Sequence, residues 1–138
     1  MKLKRDRWII LGLGFIGMIL IFILSWQTNP NLKGSIFIPS WIYQWTDRME
    51  NATVRTGVPF LVLALFIGIW FCIRDVKDIL FLYVWIALFI VVTIAEVGQH
   101  FIPSRSFDLR DIFWGTLGSS LGLGTTYLLL LTIRVLKD

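Results

Sequence analysis

The sequence predicts an all-α integral membrane protein with four transmembrane helices and both chain ends in the cytoplasm. Three observations carry this. First, the 138 residues are 57% hydrophobic, with a mean hydropathy of +0.76, too apolar for the surface of a soluble domain of this size. Second, four apolar runs, approximately 8–26, 57–73, 79–95 and 112–133, fall within the roughly 17–25 residues an α-helix uses to cross a hydrocarbon core. Third, the basic residues are unevenly shared. Lys2, Lys4, Arg5, Arg7, Arg74, Lys77, Arg134 and Lys137 fall on one side. Lys33, Arg48, Arg55, Arg105 and Arg110 are spread over longer loops on the other. The positive-inside bias then puts both termini in the cytoplasm. The whole chain, 1–138, reads as one membrane domain.

The first run follows the basic N-terminal segment and is nearly continuous in Ile, Leu, Phe and Gly. Trp8 and Trp26 stand at its two ends, where the membrane interfaces would lie. Ser25-Trp26-Gln27 is a poor cleavage site, so the run reads as a retained helix. Gly12, Gly14 and Gly17 either admit a neighbouring helix or reflect the general abundance of glycine in membrane helices.

Residues 27–56 form a polar loop with turn signals at Asn29-Pro30-Asn31 and Lys33-Gly34-Ser35. Within it, Ile36 to Trp45 is apolar and aromatic but too short to span. It is expected to lie in the external interface, with Trp41, Tyr43 and Trp45 at head-group level. Asp47 to Arg55 is charged and leads into the second run. Asn51-Ala52-Thr53 has the form of a glycosylation sequon, without other signs of a secretory context. Pro59 sits near the start of the second run, where a helix tolerates it. Cys72 is the single cysteine, which excludes an intrachain disulfide and any multi-cysteine metal motif. A charged turn, Arg74 to Asp78, separates the second run from the third.

Polar chemistry concentrates between the third and fourth runs, in EVGQHFIPSRSFDLRDIFWGTLGSSLG. Ionisable groups at the ends of membrane helices are costly unless they pair, reach head groups or line a wet cavity. Glu96, Gln99 and His100 have helical spacing and share a face if the third helix continues. Pro103 disfavours helix at Ile102 and marks a connector. Asp108 and Asp111 suit the positive end of the following helix, with Ser106 or Asp108 as N-cap. Arg105 and Arg110 are available to pair with these acids. Gly115, Gly118, Ser119 and Gly122 then form a close-packing face.

These residues admit three readings. They pin the third helix to the fourth, they bind the head of an amphiphile whose tail lies in the bundle, or they act as acid and base through Glu96 or Asp111 with His100. No nucleophile elbow, HExxH or paired-cysteine pattern supports catalysis. Glu96, His100 and Asp108 make a weak metal set with a single histidine. No metal or cofactor is expected, and an enzyme is the less favoured reading. The net charge of +4 belongs to loop topology and is no sign of nucleic acid.

At this stretch the chain resembles the VanZ-like family, small integral membrane proteins named after a teicoplanin-resistance protein. Glu96, Gln99, Phe101, Pro103, Arg105, Phe107, Asp108, Asp111, Gly118 and Gly122 follow the family's pattern in order and spacing. Ser25 and Gln27 are similar to the polar exit of its first helix. Two positions depart: Gly115 stands where the family usually has Asn, and Pro59 lies where a His often follows a basic residue, here Arg55. The resemblance implies a bacterial cytoplasmic-membrane protein with a task at the cell envelope. The expected partners are membrane lipids and an amphiphile at the outer face, such as a lipoglycopeptide antibiotic or a lipid-linked wall precursor. An intramembrane enzyme acting on a lipid head group, or an accessory subunit docking another membrane protein, are the alternatives.

Overall fold

The computed structural model describes residues 2–28, 39–51 and 54–136, and all regular structure among them is helical. Helix α1 runs Lys2–Ser25, α2 Ser40–Thr46, α3 Gly57–Arg74, α4 Ile79–Gln99 and α5 Leu109–Val135. Two 3₁₀ turns, Met49–Asn51 and Val54–Thr56, link α2 to α3. The turn signals at 29–31 and 33–35, the residues 36–38 of the interfacial segment, Ala52-Thr53 of the sequon, and the last residues 137–138 lie outside the described residues.

Three helical stretches, Val54–Arg74, Ile79–Gln99 and Leu109–Val135, are long and apolar enough to cross a membrane. In α1, the apolar part with described side chains, Gly14–Ser25, is shorter. Sequence hydropathy ends the third run at 95, yet α4 continues to Gln99 and takes Glu96 with it. The reason is packing. The buried face of α4 carries Phe81, Leu88, Val92 and Ala95, and the helical period brings Glu96 and Gln99 next on the same face. The fourth run likewise begins earlier than hydropathy suggests, because Asp108 caps α5 at Leu109.

Helix α5 is the shared partner of α3 and α4, and its contact with α3 is the most extensive in the fold. The core comprises Phe60, Leu63, Ala64 and Phe71 of α3, Phe81, Leu88 and Val92 of α4, and Leu123 and Leu130 of α5, with Ile21 from α1. Small residues let α3 and α5 meet backbone to backbone. A Cβ at Gly118 would run into the Gly57 carbonyl, and one at Gly122 would stand 2.7 Å from the Ala64 Cβ and 2.8 Å from the Leu61 carbonyl oxygen. The buried hydroxyls of Ser119 and Thr126 donate back to Gly115 and Gly122 of their own helix, so neither hydroxyl is stranded at the contact. Cys72 Sγ donates to the Thr126 carbonyl at 3.0 Å, and Trp85 Nε1 donates to Ser120 Oγ at 2.9 Å. Away from these seams the helices present Val62, Ile69, Leu82, Tyr83, Ile90, Leu121 and Leu128 outward, the surface that lipid would solvate.

At one end of the bundle, α3 turns into α4 through Asp75, whose φ of 47° is left-handed, a region aspartate tolerates. Arg134, in the last turn of α5, closes this end. Its Nε donates to Asp75 Oδ1 at 2.8 Å, Nη1 to Asp78 Oδ1 at 2.7 Å and Nη2 to the Val76 carbonyl at 2.8 Å. The α4–α5 connector lies at the opposite end of α4.

Candidate functional site

The connector between α4 and α5 joins its polar side chains in series. Glu96 and Gln99 are 2% and 5% exposed, so each must be satisfied within the protein. Gln99 Nε2 donates to Glu96 Oε2 at 2.8 Å. The backbone N–H of Asp108 donates to Glu96 Oε1 at 2.7 Å. Both carboxylate oxygens therefore accept a hydrogen bond, from an amide on one side and a backbone N–H on the other. Arg105 Nε donates to Gln99 Oε1 at 3.0 Å. Gln99 is thus an amide bridge, with its oxygen toward the guanidinium and its nitrogen toward the carboxylate, an orientation fixed by the donors and acceptors around it.

Local sequence explains why these groups meet. The spacing of Glu96 and Gln99 puts them on one face of the last helical turn of α4. Ile102 to Arg105 then makes a tight turn, closed by Arg105 N–H to the Ile102 carbonyl at 2.9 Å, which swings the Arg105 side chain back to Gln99. Asp108 is extended and caps α5. Its Oδ1 accepts from the Arg110 N–H at 2.9 Å while its own N–H is held by Glu96. One carboxylate on α4 therefore fixes the residue that starts α5.

Asp111 lies one turn into α5. Its Oδ1 is buried and has no hydrogen-bond partner among the described residues. Its electrostatic neighbours are Asp108, Thr56, Arg55 and Arg105, so the 3₁₀ turn before α3 contributes to the same end of the bundle. Arg105 is half-buried in the connector. Burial first, and then the like charge of Arg55, lower its pKa from the ordinary arginine value, while Asp111 and Glu96 act in the opposite direction. Among the described residues only Nε of Arg105 is engaged, and neither Nη group donates to any of them.

His100 is not part of this series. It is exposed at the C-cap of α4 and its ring meets the edge of Phe101, 5.9 Å between centroids. Among the described residues, no group of three His, Cys, Asp or Glu side chains is placed to hold a metal ion. Gly115, Gly118 and Gly122 are buried inside the bundle. A Cβ at Gly115 would strike Val92 Cγ2, so the Asn usual in the VanZ-like pattern has no room here. Pro59 occupies the first turn of α3, where the missing N–H leaves no intrahelical bond unmade.

Two further contacts were not expected from the sequence. Trp26 leaves the end of α1 and donates from Nε1 to the Ala95 carbonyl at 3.0 Å, its ring lying over Gly98. Ser104 Oγ donates to the Thr28 carbonyl at 2.7 Å. Together they tether the exit of α1 to the connector. The glycine at 98, next to the acid, is the only feature of the sequence that marks the seat of the tryptophan ring.

The chain matches no protein-family model, no curated protein and no solved structure. The resemblance to the VanZ-like family therefore stands on the motif residues alone.

Proposed function

We propose that this is a VanZ-like membrane protein of the bacterial cell envelope that recognises the head of an amphiphile at the outer face of the cytoplasmic membrane. A lipoglycopeptide antibiotic or a lipid-linked wall component fits that description, and binding it would lower antibiotic sensitivity. The chain would cross the membrane four times, α1 being the first crossing, with both ends in the cytoplasm and α2 in the external interface. The exposure of Trp41 on α2 supports the last point.

One observation carries the reading. Arg105 is held at Nε by a buried Gln99–Glu96 pair, while both Nη groups have no partner among the described residues. A guanidinium used only to pin α4 to α5 would direct its paired N–H groups at a carboxylate, the geometry in which arginine bonds best. Here the helices are joined without it, by Glu96 on the Asp108 N–H. Arg105 is braced and left with donors to offer. Docking of another membrane protein through the glycine face has less support, because Gly115, Gly118 and Gly122 are covered within the chain.

The test is a pair of variants. Arg105→Ala and Asp111→Asn are expected to lose antibiotic tolerance, or affinity for an acylated lipoglycopeptide, while accumulating in the membrane at the wild-type level. Unchanged tolerance and affinity in both variants overturns the reading.

A further inference from the structure

The charges around Arg105 are balanced. In the cluster formed by the connector, the start of α5 and the 3₁₀ turn before α3, Arg55, Arg105 and Arg110 are matched by Glu96, Asp108 and Asp111. Such a site has no surplus positive potential to hold a purely anionic head. It does carry two unmet polar capacities close together in the chain. The Nη groups of Arg105 have no acceptor, and Asp108, which accepts from Arg110 through Oδ1, has no donor on Oδ2 among the described residues. On either side of them stand Phe101, Leu109 and Phe113, exposed by 80%, 69% and 61%, on the flanks of the same connector. Apolar side chains this open beside charged ones suit the level where lipid chains meet their head groups.

The geometry points to a zwitterionic phosphate ester of a lipid as the ligand. Its phosphate sits on the guanidinium fork of Arg105, its primary ammonium on Asp108, and its chains run beside Phe101, Leu109 and Phe113. This assignment rests on the amphiphile-binding reading above and gives the head group its chemistry. A guanidinium offers two parallel N–H donors to phosphate oxygens. A primary ammonium has three N–H donors for a carboxylate, whereas a quaternary ammonium has none. Phosphatidylethanolamine therefore satisfies both ends of the site, phosphatidylcholine only the phosphate end, and phosphatidylglycerol lacks the cation.

The full chain is purified into nanodiscs containing the three phospholipids in equal amounts, and the lipids that stay bound after mild delipidation are quantified by mass spectrometry. The wild type is expected to retain phosphatidylethanolamine over the other two. Arg105→Ala is expected to lose roughly tenfold or more of that retention, the value of a charge-assisted hydrogen bond. Arg105→Lys keeps the charge but not the fork and is expected to fall between. Asp108→Asn preserves an N-cap, so α5 is retained, and it is expected to erase the preference over phosphatidylcholine. Free phosphoethanolamine, which lacks the chains, is expected to displace little lipid; complete displacement overturns the lipid as source.

Equal retention of the three lipids by the wild type, or wild-type retention by Arg105→Ala, overturns the head-group assignment. If an acylated lipoglycopeptide without phosphate is then held in an Arg105-dependent way, the amphiphile reading survives that loss. If nothing is held through Arg105, both fall.

Discussion

Replacing Glu96 by Gln keeps the size of the side chain and removes one acceptor. An amide has a single oxygen, yet two donors, Gln99 Nε2 and the Asp108 N–H, point at this position. One of them must then face an NH2 group inside the protein. The expected cost is about 1–3 kcal/mol, the penalty of one buried polar group left unsatisfied. It is read as a lower Tm of the purified protein in detergent, and an unchanged Tm would show that these two bonds do not hold α4 to α5. His100→Ala is the matched comparison. That ring is exposed and stands outside the Glu96–Gln99–Arg105 series, so its removal is expected to leave the Tm and the binding of any amphiphile unchanged. At this scale the sequence was partly legible. The acids, amide and arginine stood out because charged groups are rare between apolar runs. The bridging role of Gln99 was not legible, because it depends on how the 102–105 turn returns Arg105 to α4.

Between elements, the α3–α5 seam makes a sharp contrast along one helix. Gly118→Ala places a methyl against the Gly57 carbonyl, and backbone cannot move aside as a flexible side chain would. Overpacking of this kind costs about 1–3 kcal/mol. Gly124→Ala on the same helix meets nothing within 4 Å and removes a glycine from a helix interior, which is expected to stabilise by up to about 1 kcal/mol. Thermal unfolding of the two variants side by side checks the pair, and a Gly118→Ala protein as stable as Gly124→Ala would mean that α3 and α5 do not meet at this register. The glycine face could be seen in the sequence because small residues recur at helical spacing. Its partner could not. In a lipid-solvated bundle both faces of a helix are apolar, so hydropathy does not say which side of α3 is turned inward. The Arg134 clamp was hidden for another reason. It joins α5 to Asp75 and Asp78 across almost sixty residues, and no local pattern records so distant a contact. Arg134→Gln is expected to raise hydrogen exchange at residues 75–78 and to leave the connector at 100–108 unchanged.

Over the whole molecule, the two polar ends differ in kind, which makes the orientation in the membrane testable. One end is the compact α3–α4 turn, where Arg134 bonds Asp75, Asp78 and the Val76 carbonyl. The other gathers the α4–α5 connector, the 3₁₀ turn carrying Arg55, and the exit of α1 tethered by Trp26 and Ser104. Helix α4 has 21 residues, and at about 1.5 Å per residue it is roughly as long as a hydrocarbon core is thick, so a crossing by α4 would put its two ends at opposite interfaces. Lys77 precedes α4 and His100 follows it, and both are exposed. With Cys72 replaced by Ala to remove the native thiol, Lys77→Cys and His100→Cys each provide a single reporter. If the connector faces outward, a membrane-impermeant maleimide labels His100→Cys in intact cells and labels Lys77→Cys only after permeabilisation. The positive-inside bias favours this outcome, because Arg74 and Lys77 crowd the short turn while the other end carries its basic residues in longer loops. The reverse labelling pattern would put Arg105 and Asp108 in the cytoplasm. A ligand arriving from the cell exterior would then have no access to them, and a partner for the Arg105 Nη groups would have to be sought among inner-leaflet lipids.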